Sequence, residues 1–301
     1  MYHLTFRNDN NIFKYIYNLN IFFKEHKEYE VIHCHMESIG ALLFLIAKIH
    51  GVKVRIGHAH TNSTINNLKG IIKRITSSFF KYTTTINLAC SKEAGKYLYS
   101  NKKIIVIPNG IDFDKFKFNK NIRNKLRNDY DLKNKFVIGH VGRMDTAKNQ
   151  LFLIDVFYEY QKQNKNAVLD LVGDGELKDK INLKIKTLNI ENKVLMLGVK
   201  NNINEIYSMF DLFLFPSLFE GLGIVLIEAQ INGLPIIASD NVPKSTKISD
   251  LIKYLSLDKN KWINELNKLY KKRNKVIYNK YKDSYDIKNV VQILTKIYVG
   301  E

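Results

Sequence analysis

Cysteine is scarce in this chain: 301 residues carry only Cys34 and Cys90. Two cannot make the multi-bridge framework of a small secreted scaffold, and both end apolar runs, where buried free thiols are expected. Long apolar runs are missing as well. The longest, from Ile39 to Ala47, is too short to cross a bilayer and reads as a buried helix. The opening Met1-Tyr-His-Leu-Thr-Phe-Arg lacks the basic-then-apolar form of a signal peptide. A cytoplasmic location fits these absences. Acidic charge is also in short supply, with 29 Asp and Glu against 47 Lys and Arg, a net charge of +18 shared evenly between residues 1–118 and 119–301. Such basicity suits nucleic acid, an anionic membrane or an anionic substrate. Neither zinc-finger spacing nor an aromatic RNA-binding signature is present, so no nucleic-acid partner is expected, and a Lys/Asn/Ile-biased composition accounts for the same excess.

An apolar fraction of 45% is that of a globular protein, and the length allows two domains. After an amphipathic opening from Ile12 to about His26, short apolar strands alternate with helical patterns. Strands are expected at Val31–His35, Lys53–His58, Thr84–Ala89, Ile104–Pro108, Phe136–Val141, Val168–Val172, Val194–Leu197, Leu212–Phe215 and Ile236–Ser239. This alternation implies an α/β protein with parallel, doubly wound sheets and ligands beyond the carboxyl ends of the strands. After Asn109-Gly-Ile-Asp a charged, Asn-rich stretch of about 25 residues shows no core signal, which is long for a loop within one domain. The expected domains are therefore residues 1–118 and 119–301. Trp262–Lys271 and Asp286–Tyr298 read as terminal helices.

A basic segment runs from Asn67 to Lys81. Ile71, Ile72, Ile75 and Phe79 recur at helical spacing, with Lys69, Lys73 and Arg74 largely opposite. Packing on a sheet and lying on an anionic bilayer both fit this pattern.

The most informative stretch runs from Phe215 to Ala229 (FPSLFEGLGIVLIEA). A strand ends at Phe215, the chain breaks at Pro216-Ser217, turns through Gly221 and Gly223, and enters a helical segment that stops at Gly233. Free backbone N–H groups and the positive helix end make such a turn an anion site. Glu220 sits in the turn and Glu228 about two helical turns on. A second strand-turn-helix, Phe136 to Gln150, carries Gly142 at its turn, then Arg143 and Lys148. Two cations at a strand's carboxyl edge suit a diphosphate, Arg as a fork and Lys as a point charge. A third strand ends in Gly173-Asp-Gly175-Glu; lacking a third glycine, it is only a weak dinucleotide signature.

The first half holds two histidine pairs, His33/His35 and His58/His60, each at a strand end. Residues i and i+2 on a strand share a face, so each pair could bind metal, yet no carboxylate or thiolate completes a familiar spacing. The expectation is no metal, with one histidine of each pair packed and the other facing a cleft. Asp112-Phe-Asp114 spells a metal-binding Asp-x-Asp but follows no nucleotide-binding strand, and reads as coincidence.

Taken in order, Ala89-Cys-Ser-Lys-Glu-Ala, Pro108-Asn-Gly-Ile-Asp, His140-Val-Gly-Arg, Lys148-Asn, Leu171-Val-Gly-Asp-Gly, Phe215-Pro-Ser, Glu220-Gly-Leu and Glu228-Ala resemble family 4 of the retaining glycosyltransferases, in its capsular and exopolysaccharide branch. The Glu220–Glu228 spacing matches the family's Glu-x7-Glu motif. The resemblance implies the GT-B fold, two Rossmann-like domains facing across a cleft. It implies a nucleotide-sugar donor, often a UDP-sugar, a saccharide or lipid-linked acceptor, retention of anomeric configuration, and no cofactor or bound metal. A place on the inner face of the membrane follows from such an acceptor. By that resemblance Glu228 holds the ribose, Glu220 orients the sugar, Arg143 and Lys148 stabilise the departing diphosphate, and His60 lies beside the transferred sugar. Gly142, Gly173, Gly175, Gly221, Leu222 and Gly223 line the nucleotide-sugar pocket. One departure stands out. The family opens with a strand, a glycine-rich loop and a helix that this sequence lacks, so an incomplete first domain with an uncovered sheet edge is expected. A truncated, non-catalytic nucleotide- or glycan-binding fragment is the alternative reading.

Overall fold

Strand after strand in this chain pairs parallel to its neighbour, which is why the strand sequences read as unbroken apolar runs rather than alternating ones. The computed structural model describes residues 11–60, 79–268 and 282–301, and within them the strands form one sheet of four and one of six. The chain divides into two units, Met1–Asn109 with Val290–Glu301, and Gly110–Asn289. The break falls before residue 118, and the last helix joins the first unit. Both differences from the sequence reading have one cause, namely where the apolar side chains go.

In the first unit, helix α1 (Ile12–Glu25), strand β1 (Val31–Cys34), α2 (Glu37–Ile49), β2 (Val54–Ala59), β3 (Ile86–Ala89), α3 (Lys92–Tyr99) and β4 (Ile105–Val106) build a parallel sheet in the order β1-β2-β3-β4. Asn11 caps α1 by accepting from the amides of Phe13 and Lys14, and Ser91 caps α3 through Ala94 N–H. Cys34 and Cys90 are buried free thiols. The basic segment from Asn67 lies, up to residue 78, outside the described residues.

The second unit contains α4 (Phe113–Phe116), α5 (Lys120–Asp129), β5 (Phe136–Val141), α6 (Gln150–Gln163), β6 (Ala167–Val172), α7 (Lys178–Thr187), β7 (Val194–Gly198), α8 (Ile203–Met209), β8 (Leu212–Phe215), α9 (Ile224–Ile231), β9 (Ile236–Ser239), β10 (Ile252–Leu255), α10 (Lys259–Lys268) and α11 (Lys282–Tyr285). The stretch that shows no core signal in sequence is in fact helical. Asn119 caps α5, and Phe113, Phe116 and Leu126 are buried in this unit's core. Arg123 and Arg127 of α5 both pair with Asp211, which also accepts from Val137 N–H at 2.8 Å. The final helix, α12 (Ile287–Val299), buries Val290 with Ile56, Leu88 and Ile107 of the first unit's sheet.

Strand order in the larger sheet is β10-β9-β8-β5-β6-β7. From β5 the chain winds one way to β6 and β7, then returns to the other side of β5 for β8, β9 and β10. The reversal leaves a crevice between the carboxyl ends of β5 and β8, the usual ligand position in an open α/β sheet. Side chains alternate between the two faces: Phe213, Phe215, Ile236 and Ala238 enter one core, Leu212, Leu214 and Ile237 the other.

Candidate functional site

At that crevice the β5 and β8 turns are sewn together. Leu218 N–H donates to the Ala147 carbonyl at 2.8 Å, and the Asn149 amide donates to the Pro216 carbonyl at 3.2 Å. Asn149 adopts a left-handed conformation (φ 55°), which redirects the chain from a short 3-10 turn, Thr146–Lys148, into α6. Asp145 caps that turn through Lys148 N–H. The consequence is an ion pair between the Lys148 ammonium and a carboxylate oxygen of Glu220, with side chains only 20% and 9% exposed. The ammonium also lies 5.3 Å from the centroid of the Phe215 ring. Arg143 emerges from the same β5 turn with its side chain exposed.

Beneath the turn, His140 is buried and fixed in one tautomer. Its Nδ1–H donates to the Leu214 carbonyl at 2.9 Å, which leaves Nε2 to accept from the Gln150 amide at 3.3 Å. Burial lowers its pKa to about 4, so the ring is neutral near pH 7. Gln150 also donates to the Arg143 carbonyl at 2.8 Å, tying the cation-bearing turn to α6.

The β6 turn closes one side. Gly173 has φ +132°, and a Cβ there would sit far inside contact distance of the Gly142 carbonyl oxygen. Gly175 meets Met144 backbone just as closely, and Met144 N–H donates to the Asp174 carbonyl at 2.9 Å. Gly173 and Gly175 thus let the two turns pack backbone to backbone, while a Cβ on Gly142 would crowd the Lys148 and His140 side chains.

Gly223, at φ +78°, starts α9 in a left-handed conformation. Gly221 precedes it in the turn, and the Leu222 side chain is packed in the core, so only its backbone is left for a ligand. Glu228 is half-buried on α9 and accepts from the Tyr207 hydroxyl at 2.8 Å; burial raises its pKa. The helix itself is pinned by buried polar residues. Gln230 accepts from the amides of Ile248 and Ser249 at 3.0 Å, and Asn232 donates to the Phe116 carbonyl at 2.9 Å.

The structure therefore gathers Gly142, Arg143, Lys148, Gly173, Gly175, Glu220, Gly221, Leu222 and Gly223 at the carboxyl ends of β5, β6 and β8, with Glu228 along α9. His140, Gln150 and Tyr207 are not visible as site residues in the sequence. His140 stands in the His-Val-Gly-Arg motif, and that was the available signal. Asp112 and Asp114 have ordinary structural roles: the first caps α4, the second pairs with Lys117 and Lys288.

His60 belongs to the first unit. There His33, His35, His58 and His60 crowd the carboxyl ends of β1 and β2. His58 is buried, His33 and His60 partly so, and His35 exposed. Desolvation lowers all four pKa values, to about 4 for His33 and about 3 for His58.

Two parallel-sheet α/β units, the larger with a reversed strand order and an ion-paired crevice, define a GT-B glycosyltransferase fold. The family model for glycosyl transferases group 1 matches residues 122–283, more than half of the chain, and that for glycosyltransferase family 4 matches residues 2–115. This chain belongs to the group 1 glycosyl transferases. EpsF of Bacillus subtilis is 31% identical over 241 residues, covering 77% of this chain and 63% of its own length. The Escherichia coli UDP-Gal:alpha-D-GlcNAc-diphosphoundecaprenol alpha-1,3-galactosyltransferase is 31% identical over 231 residues, 71% of this chain and 58% of its own. The chain thus spans about three fifths of the length of these two relatives. The capsular polysaccharide biosynthesis glycosyltransferase CapH of Staphylococcus aureus is 26% identical over 91% of this chain and 78% of its own. Among solved structures, Anabaena HepE in complex with UDP and glucose superposes with a TM-score of 0.79 at 20% identity, over 94% of this chain and 81% of its own. No helix among the described residues is long and apolar enough to cross a membrane.

Proposed function

We propose that this protein is a retaining glycosyltransferase that moves a sugar from a UDP-sugar to a lipid-linked saccharide or growing glycan in surface polysaccharide synthesis. The observation that carries the reading is the Lys148–Glu220 pair at the switch point of the larger sheet. Two relatives bear on the substrates: the E. coli enzyme is named for UDP-Gal and a diphosphoundecaprenol acceptor, and HepE was crystallised with UDP and glucose.

In this account Glu228, held by Tyr207, accepts from the ribose hydroxyls, and the glycine turns after β5 and β6 admit the nucleotide against bare backbone. When the diphosphate arrives, Lys148 exchanges Glu220 for phosphate oxygens. Arg143 reaches the same diphosphate as a fork. Glu220, released, accepts from the sugar's hydroxyls and orients the anomeric carbon. The acceptor hydroxyl then attacks that carbon on the face from which the diphosphate departs. The carbon–oxygen bond to UDP breaks as the glycosidic bond forms, and the acceptor's proton passes to the leaving phosphate. Removing either cation should slow transfer by about 10²–10³-fold, the usual cost of losing one preorganised charge partner. His60 is assigned to the sugar side, from the first unit. A lipid-borne acceptor places the work at a membrane surface, and a net charge of +18 suits an anionic leaflet.

The test is transfer itself: purified protein, a panel of UDP-sugars and a polyprenyl-diphosphate monosaccharide, with the product linkage read by NMR. An α-linked product from an α-configured donor is expected. An inverted linkage, or a trapped covalent glycosyl-enzyme, would overturn the mechanism.

A further inference from the structure

Three of the first unit's histidines, His33, His35 and His58, form a constellation that the transfer reaction, as drawn, does not use. Strands β1 and β2 pair in parallel with His33 opposite Ile56 and Cys34 opposite Gly57. One step further along that register, His35 comes level with His58. Cys34, between the two β1 histidines, points to the opposite face and is buried in the core there. Two His-x-His pairs, each unremarkable alone, thereby become one cluster of imidazoles.

We propose that His33, His35 and His58 form a binding site for a divalent transition-metal cation of the zinc class, with His60 and Tyr298 orienting the ligands. The candidate ligating nitrogens of the three lie within 4.8 Å of one another. His58 Nε2 faces the Ile107 carbonyl at 3.3 Å. A carbonyl only accepts, so Nε2 carries the hydrogen and Nδ1 is a lone pair. That lone pair faces His33 Nε2 at 3.2 Å. Two nitrogens bound tetrahedrally to zinc at 2.0–2.1 Å stand roughly 3.3 Å apart, so this edge is already at ligand spacing. His33 Nδ1 meets the Tyr298 hydroxyl at 2.6 Å. When that hydroxyl accepts, His33 Nε2 is a second lone pair aimed at the same point. His35 Nδ1 meets His60 Nε2 at 2.8 Å, which leaves His35 Nε2 as the third.

Each of the three ligands thus has its other nitrogen engaged, by a backbone carbonyl, a hydroxyl and a second imidazole. Such outer partners are what fix tautomer and ring orientation at histidine metal sites. His60 is itself braced by the Asn109 side chain. Exposed His35 gives an ion an entry path. Imidazole-only sites favour zinc, copper, nickel and cobalt over magnesium and calcium, which want oxygen ligands.

The test uses the full chain stripped with chelator and titrated with Co²⁺, whose visible absorption reports tetrahedral nitrogen ligation, followed by competition with Zn²⁺. One Co²⁺ per chain, displaced by Zn²⁺, is expected. His35→Phe, at an exposed position that should not disturb folding, should abolish the band, as should His58→Asn. His60→Gln, removing an orienting partner and no ligand, should weaken binding about 10–100-fold without abolishing it. His26→Gln and His50→Gln should leave it intact. Absence of a visible band in folded protein would show that the imidazoles form a metal-free hydrogen-bonded ladder, and a band that survives His35→Phe would show that the ion binds elsewhere; either overturns the proposal. Because the readout is metal binding, it stands or falls apart from donor binding in the second unit.

Discussion

Lys148 and Glu220, 72 positions apart in sequence, are ion-paired across the crevice between β5 and β8. The pair joins a cation argued to neutralise a leaving diphosphate to a carboxylate argued to orient the sugar. In the proposed reaction each holds the other in place until substrate separates them. Lys148→Ala should therefore lower turnover by about 10²–10³-fold and remove the ion pair to Glu220. Glu220→Gln should cost comparable turnover but less donor affinity, since Lys148 stays free for phosphate. Steady-state kinetics on both variants checks the split between kcat and KM.

Tyr207 donates to Glu228 at 2.8 Å. Tyr207→Phe removes one hydrogen bond worth about 1 kcal/mol. The expected result is a 5–10-fold rise in the donor's Kd, roughly what that energy implies, with kcat little changed. Calorimetric titration with UDP reads it directly. An unchanged Kd would dissociate Glu228 from nucleotide binding.

Gly173 cannot take a side chain, for both its φ of +132° and its contact with the Gly142 carbonyl forbid one. Gly173→Ala should destabilise the second unit by about 1–3 kcal/mol from backbone strain alone and push the β5 turn out of place. Thermal melting together with UDP binding is the check. Loss of binding with a near-native melting temperature would mean that the turn moved without unfolding.

Asp170 lies fully buried on β6, and neither carboxylate oxygen has a hydrogen-bond partner among the described residues. Desolvation raises its pKa from 3.8 to about 7, with Arg127 opposing the shift. Its folded-state pKa lies above the unfolded one, so its contribution is full below pH 3.8, falls as pH rises toward 7, and is flat above. Wild type should lose on the order of 4 kcal/mol across that window relative to Asp170→Asn. Urea unfolding of both proteins between pH 4 and 8 (about the window set by those two pKa values) shows whether the difference has that slope.

The sequence made the strand pattern legible because parallel strands must be apolar on both faces. Phe136–Val141, Leu212–Phe215 and Ile236–Ser239 have the same bounds in sequence and structure. Strand β10 was not legible. Its four residues, Ile-Lys-Tyr-Leu, include an exposed lysine at the sheet's edge and give no apolar run. Helix α5 was obscured by its Lys and Asn content, although Asn119 followed by Ile122 and Leu126 is a capped helical stripe. Its burial depends on Arg123 and Arg127 finding Asp211, a contact that no local pattern reveals. The same holds for the site. Glycine turns and charged residues could be read singly, but the Lys148–Glu220 and Tyr207–Glu228 pairs exist only once strand order is set. The histidine cluster, likewise, needs the β1–β2 register.

The central claim is that the crevice between β5 and β8 binds a nucleotide-sugar. It is tested most directly by calorimetric titration of UDP and UDP-sugars into wild type, Glu228→Ala and Arg143→Ala. The account predicts one site per chain for UDP and for a preferred UDP-sugar, weakened at least tenfold in both variants while each remains folded. Absence of UDP binding in folded wild type, or affinity untouched by both substitutions, would contradict it.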